Sequence, residues 1–196
     1  MRQGRAPQTR IRFCSLGRAL PFILSFWVFL AQGAETRLKI ELTPEEFKAK
    51  ILATLPSYIS EWPRGAFADS TNRLILGVLG KENDAFLEAL RFLVMTARVD
   101  GREVVVREFN DASQLGKCHI LFVPAASVPQ WSALSKSGSV QGILAVGETE
   151  DFAKADMGGA FRMITKDRKL EANPRNAKKA GYRINSKLLR IIRTVD

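Results

Sequence analysis

An α/β sandwich built on a mostly parallel sheet is the fold class that this sequence predicts, and three observations carry it. The continuous apolar run at 73–79 reads as a strand buried on both faces, and the short apolar runs at 118–123 and 142–146 read as further strands. Amphipathic stretches alternate with them, as parallel strands joined by crossover helices require. Late in the chain, Lys166-Asp167-Arg168 has the length of a hairpin turn between strands at 160–165 and 169–172, which adds one antiparallel pair.

The elements follow in order. Thr43 is an N-cap, with Pro44 at the first helical position and Glu46 three residues beyond the cap. Phe47, Ile51, Leu55 and Tyr58 repeat at helical spacing until Trp62-Pro63 stops the helix. Arg73–Leu79 is a buried strand, and Asn83 to Ala97 is a helix with Phe86, Leu87, Leu90, Leu93 and Val94 on its apolar stripe. The turn Asp100-Gly101 leads into a β-branched strand, Arg102–Phe109. Cys118–Val123 and Gly142–Val146 are further strands, and Asp151–Lys154 is a short helix. Asn173 and Pro174 open a helix that Gly181 closes, after which Asn185-Ser186 cap a new helix over Lys187–Val195. The spacing of Ala177, Ala180, Ile184, Leu188, Ile191 and Val195 also suits one unbroken helix, but the C-cap signal at Gly181 favours the break.

The chain carries a net charge of +10, a surplus that suggests nucleic acid until it is mapped. Residues 1–33 hold Arg2, Arg5, Arg10, Arg12 and Arg18 and no acidic residue; the apolar run Ala19–Leu30 and the small residues Ala31, Gly33 and Ala34 follow. That is the layout of a secretory signal, and a 12-residue run falls short of the roughly 20 that a spanning helix needs. Cys14 lies before the run, the wrong side for lipid attachment. Residues 1–33 are read as a signal peptide, residues 34–196 as one domain, and the protein as exported.

Export leaves 25 basic and 20 acidic residues. Residues 166–196 hold ten basic and three acidic residues, so the rest of the exported chain is net −2. The positive charge is therefore local: Arg175, Lys178, Lys179, Arg183, Lys187, Arg190 and Arg193 recur every three or four residues, opposite the apolar positions. Such a face serves as solvated cover for the core edge, or as a docking surface for an acidic protein or an anionic membrane. Nucleic acid is excluded, because export removes it and no aromatic except Tyr182 is interleaved.

Catalytic patterns are sparse. Cys118 and His119 are neighbours in a strand and point to opposite faces, so they form no nucleophile–base pair, and there is no second histidine. One exported cysteine and one histidine cannot fill a zinc site, and Cys118 is read as a buried core residue. Gly77-Val78-Leu79-Gly80 lacks the spacing of a dinucleotide fingerprint. Gly147-Glu148-Thr149-Glu150 and Met157-Gly158-Gly159 lie at strand ends, where open sheets bind ligands; Glu148, Glu150, Asp151 and Asp156 lack the spacing of a calcium loop. No catalytic, cofactor-binding or metal-binding residue is assigned, and no cofactor and no enzymatic activity are expected.

Six motifs in order carry a resemblance: Glu61-Trp-Pro-Arg-Gly-Ala-Phe67, Gly101-Arg-Glu-Val-Val-Val-Arg107, Lys117-Cys-His-Ile-Leu-Phe122, Val146-Gly-Glu-Thr-Glu-Asp-Phe-Ala153, Met157-Gly-Gly159, and Asn173 to Gly181 continuing through Ser186-Lys-Leu-Leu189. Over about Thr43 to Val195 the chain resembles the YfiR/HmsC-like periplasmic proteins. The resemblance implies an α/β sandwich in the bacterial periplasm. The family's best-known members restrain a membrane-bound diguanylate cyclase by binding its periplasmic part, so that envelope signals alter cyclic-di-GMP and biofilm formation. Other members sit with outer-membrane receptors or sensor kinases. Pro124–Ser127 lacks the acidic residue usual after the third strand, Leu170–Asn173 differs from the common Phe-Glu-Ile-Asn, and Tyr182 and Asn185 replace the usual Leu and Ser. The internal disulfides of some members cannot form here.

The expectation is a non-enzymatic periplasmic regulator that binds the sensor part of an inner-membrane signalling protein, a diguanylate cyclase or a sensor kinase. Arg183, Lys187 and Arg190 are the expected partner-binding residues. Membrane-surface contact and a homodimer are left open. The rival is a small-ligand-binding periplasmic protein serving a receptor, transporter or sensor kinase, with its pocket near Gly147 and Gly158-Gly159.

Overall fold

Thr43 and Glu46 cap the first helix reciprocally: the Thr43 hydroxyl accepts the Glu46 N–H at 3.2 Å, and the Glu46 carboxylate accepts the Thr43 N–H at 2.7 Å. The computed structural model describes residues 42–68 and 73–196; the expected signal segment, with Cys14, lies outside the described residues. Helix α1 (Pro44–Thr54) ends well before Trp62. Pro56 has no N–H for another helical bond, so the chain tightens into a 3-10 turn, Leu55–Tyr58, and enters strand β1 (Ile59–Glu61).

Strand β2 (Leu74–Leu79) is buried throughout and leads to α2 (Asp84–Val94), capped by Asn83. Leu93, expected on the buried stripe of this helix, is exposed. Asp100 and Gly101, both at positive φ, turn the short strand β3 (Arg98–Val99) into β4 (Arg102–Phe109), a two-residue turn whose twist suits a hairpin. Strand β5 (Ile120–Val123) starts after His119, because a 3-10 turn reaches Lys117 and Cys118 closes it. Helix α3 (Val128–Ser137) precedes β6 (Leu144–Gly147). Residues 151–157 form successive turns and no helix. The hairpin β7 (Phe161–Ile164) and β8 (Lys169–Ala172) turns through Arg168 at positive φ. Then come α4 (Pro174–Lys179), β9 (Arg183–Ile184), α5 (Ser186–Leu189) and β10 (Arg193–Thr194). The expected break at Gly181 is present, but α5 is a single turn and does not reach Val195. The chain there becomes β10, paired in parallel with β8, and the Val195 N–H donates to the Ala172 oxygen.

The main sheet has the order β10-β8-β7-β6-β5-β2-β4-β3, with five central strands parallel and the β7–β8 hairpin antiparallel. A second, two-stranded sheet pairs β1 with β9. Alternation along the strands builds two cores. Leu74, Leu76, Val78, Ile120, Phe122, Leu144 and Val146 pack beneath α1 and α2, while Ile75, Leu79, Leu121, Val123 and Ala145 pack against Trp131 of α3 and Phe152. The fold is therefore a mixed sheet flanked by helices.

Candidate functional site

Between β2 and β5 the strand order reverses direction, and at the carboxyl end of such a point an open α/β sheet normally leaves a ligand crevice. This chain places its own side chains there. Lys48, from α1, points its ammonium between Glu82, just after β2, and Glu148, just after β6, at 3.5 and 3.6 Å. The ammonium also lies 5.2 and 5.6 Å from the ring centres of Phe86 and Phe122, and the Glu148 carboxylate accepts the Ala125 N–H at 3.0 Å. Lys48 is buried because it is paired on two sides. The sequence reading missed this cluster, although a signal was present: Lys48 shares an i, i+4, i+7 row with Leu52 and Leu55, so a lysine stands in an apolar stripe.

The strand-end glycines serve packing. A Cβ on Gly147 or Gly159 would lie 2.4 Å from the Phe152 ring, and one on Gly77 would lie 2.5 Å from the Cys118 sulfur. Gly158 instead lines a surface cavity of about 540 Å³ with Trp131, Ser135, Asp156, Asn176 and Lys179. Asn173 and Asn176 hold the surrounding loop from α4: the Asn173 amide donates to the Ala153 oxygen at 2.8 Å, and that of Asn176 to the Lys154 and Gly159 oxygens.

Cys118 is a buried free thiol in the second core. Burial pushes its pKa well up, more than the Gly77 backbone hydrogen bond lowers it, and the thiol donates to the Ile120 oxygen at 3.2 Å. His119 turns the other way. Its Nδ1 accepts the Ile75 N–H at 3.0 Å, which places the ring proton on Nε2, 2.7 Å from the Ala66 oxygen. The ring stacks on Phe67 at 4.7 Å, and Trp62 bridges Phe67 and Tyr182 edge-on. Three motifs distant in sequence thus meet in one aromatic cluster.

The expected partner-binding residues lie on two elements. Arg183 is exposed on β9 and ion-paired with Glu61 across the small sheet. Lys187 and Arg190 are exposed one turn apart at α5, with the Arg190 Nε donating to the Ser186 oxygen at 3.4 Å. The seven basic residues do not form one helical face, because they are spread over α4, β9, α5 and β10 and their flanks. Arg175 pairs with Asp196 and Arg193 with Glu171, which neutralises part of the charge. Beside α5 an open groove of about 720 Å³ runs between α1, the β7–β8 turn and the C-terminal residues. Ile51, Leu55, Ile164, Leu188 and Ile192 line it, and Ile191, 74% exposed, stands at its edge. The groove was not legible in advance, since its walls come from three distant segments.

Fold and surface define a mixed α/β domain with an open apolar groove beside a basic turn; among the described residues no group of three or more His, Cys, Asp or Glu is placed to hold a metal ion, and no helix is long and apolar enough to cross a membrane. The chain belongs to the YfiR/HmsC-like family, whose model matches residues 45–193. This is a regulatory family, known for periplasmic control of cyclic-di-GMP signalling. No curated protein matches the chain. Among solved structures it is similar to a conserved domain protein from Vibrio cholerae O1 biovar eltor, at 10% identity and a TM-score of 0.47, over 80% of this chain and 61% of that one. The chain thus spans about three fifths of that protein's length.

Proposed function

We propose that this protein is exported on residues 1–33, acts in the periplasm, and regulates an inner-membrane signalling protein, first a diguanylate cyclase, by binding its periplasmic sensor part without catalysis. Family membership over residues 45–193 supports the class of role. The observation that carries the contact surface is the exposed Ile191 at the rim of the apolar groove, on the same short segment as Lys187 and Arg190. An isoleucine left in water beside two exposed cations suits a partner that offers apolar side chains flanked by carboxylates. Arg183 contributes less, because Glu61 already neutralises it.

Capture of the purified periplasmic domain of the cyclase tests the surface. Ile191→Asp and the pair Lys187→Glu with Arg190→Glu should each weaken capture at least tenfold, while Arg175→Glu, on α4, leaves it within twofold. Undiminished capture by both groove variants refutes the surface assignment.

A further inference from the structure

At the amino-terminal ends of β5 and β6, away from the groove, lies a polar cavity of about 320 Å³ that none of the preceding roles uses. Its walls are the loop Pro63–Ala66, the end of the 3-10 turn at Gly116 and Lys117, and the turn containing Ser139, Gln141 and Gly142. Three of the carbonyl oxygens around it are already engaged. The Ala66 oxygen faces the His119 Nε2–H, the Tyr182 hydroxyl is shared between the His119 and Gly142 oxygens, and the His119 oxygen also accepts the Leu144 N–H. No carboxylate lines the cavity, and its two charged residues are cations, Arg64 and Lys117. Neither has an acidic partner among the described residues, whereas Arg73, Arg91, Arg162, Arg183 and Arg193 all do.

We infer that this cavity is a binding site for a small oxyanion-bearing ligand, a phosphate or a carboxylate, held by Arg64 and Lys117 with Ser139 and Gln141 as neutral hydrogen-bonding groups. A guanidinium and an ammonium lining one cavity that has no carboxylate in its walls make it complementary to an anion. Its volume sits at the lower end of the range for small-molecule sites, which limits the ligand to a compact metabolite. His119, which lines the cavity, is fixed by the Ile75 N–H, the Ala66 oxygen and the Phe67 ring, so this wall is in place before a ligand arrives. The inference is independent of partner docking, because no residue of the cavity lines the groove.

Titration of the purified protein with inorganic phosphate and with citrate, against sodium chloride at matched ionic strength, tests it by calorimetry and by thermal melting. Saturable binding and a rising Tm with either oxyanion, lost in Arg64→Gln/Lys117→Gln, are the expected results; phosphate alone or citrate alone identifies which oxyanion the cavity takes. Each single substitution should weaken binding about tenfold, the worth of one charge-assisted hydrogen bond. Both side chains are exposed, so the variants keep the wild-type Tm without ligand. No saturable binding by either oxyanion, or equal binding by the double variant, overturns the inference. Lys187→Glu/Arg190→Glu should bind phosphate normally, which separates failure of this site from failure of the docking surface.

Discussion

The hydroxyl of Tyr182 lies 2.6 Å from the backbone oxygen of His119, 63 positions earlier in the chain. It also lies 2.9 Å from the Gly142 oxygen, so one side chain ties the entrance of β9 to the starts of β5 and β6. Burial pushes the phenol pKa well up, which keeps the hydroxyl protonated as a donor.

Tyr182→Phe removes that donor and keeps the ring against Trp62. The His119 oxygen still accepts the Leu144 N–H, so the cost should be about 1 kcal/mol, the net worth of one buried hydrogen bond. Tyr182→Ala also empties the ring site and should cost about 4 kcal/mol. Urea midpoints at constant m decide; equal losses for the two variants would mean that packing contributes nothing.

Asn173→Ala should destabilise by about 3 kcal/mol, measured by chemical denaturation. Its side chain caps α4 by accepting the Arg175 and Asn176 N–H groups, and its amide satisfies the buried Ala153 oxygen. Asn173→Asp keeps the caps and loses the donor, so it should recover part of the loss. Stability within 0.5 kcal/mol of wild type for Asn173→Ala would contradict this network.

Lys48→Met leaves Glu82 and Glu148 facing each other without their cation. The expected loss is about 3 kcal/mol, at the low end for a broken buried pair because the Glu148 side chain retains 22% exposure. Adding Glu148→Gln in the Lys48→Met background should restore at least a third of it. A double-mutant cycle with no coupling would remove the cluster's role in closing the strand-end crevice.

Cys118 should resist thiol reagents in the native protein and react on unfolding. Its thiol ionises near 9.0 when exposed and far higher in the fold, so above about pH 9 only the unfolded chain loses the proton. Stability is therefore full below pH 9 and falls with rising pH, by about 1.4 kcal/mol per pH unit from this group. Denaturant midpoints from pH 7 to 10.5 should show a shallower decline in Cys118→Ala than in wild type. Rapid native labelling would contradict burial.

What the sequence revealed was what local chemistry decides. Thr43, Pro44 and Glu46 announced α1, the run ending at Leu79 announced β2, and Asn173-Pro174 announced α4. Helix α3 escaped notice because Trp131 is its sole fully buried side chain, so no apolar period appears. Strands β1, β9 and β10 span only two or three residues each and exist through pairing with distant partners. Ile191 and Val195 continued a helical spacing that pairing with β8 overrode. The basic residues were visible as a run, but the Glu61–Arg183, Glu171–Arg193 and Asp196–Arg175 pairs that sort them depend on the tertiary fold.

Cyclic-di-GMP, measured in the native host, tests the central claim most directly. Deletion of the gene should raise it, re-expression of the wild type should restore it, and Lys187→Glu/Arg190→Glu, exported to the same level, should not. Unchanged cyclic-di-GMP after deletion would contradict the proposed regulation of a diguanylate cyclase.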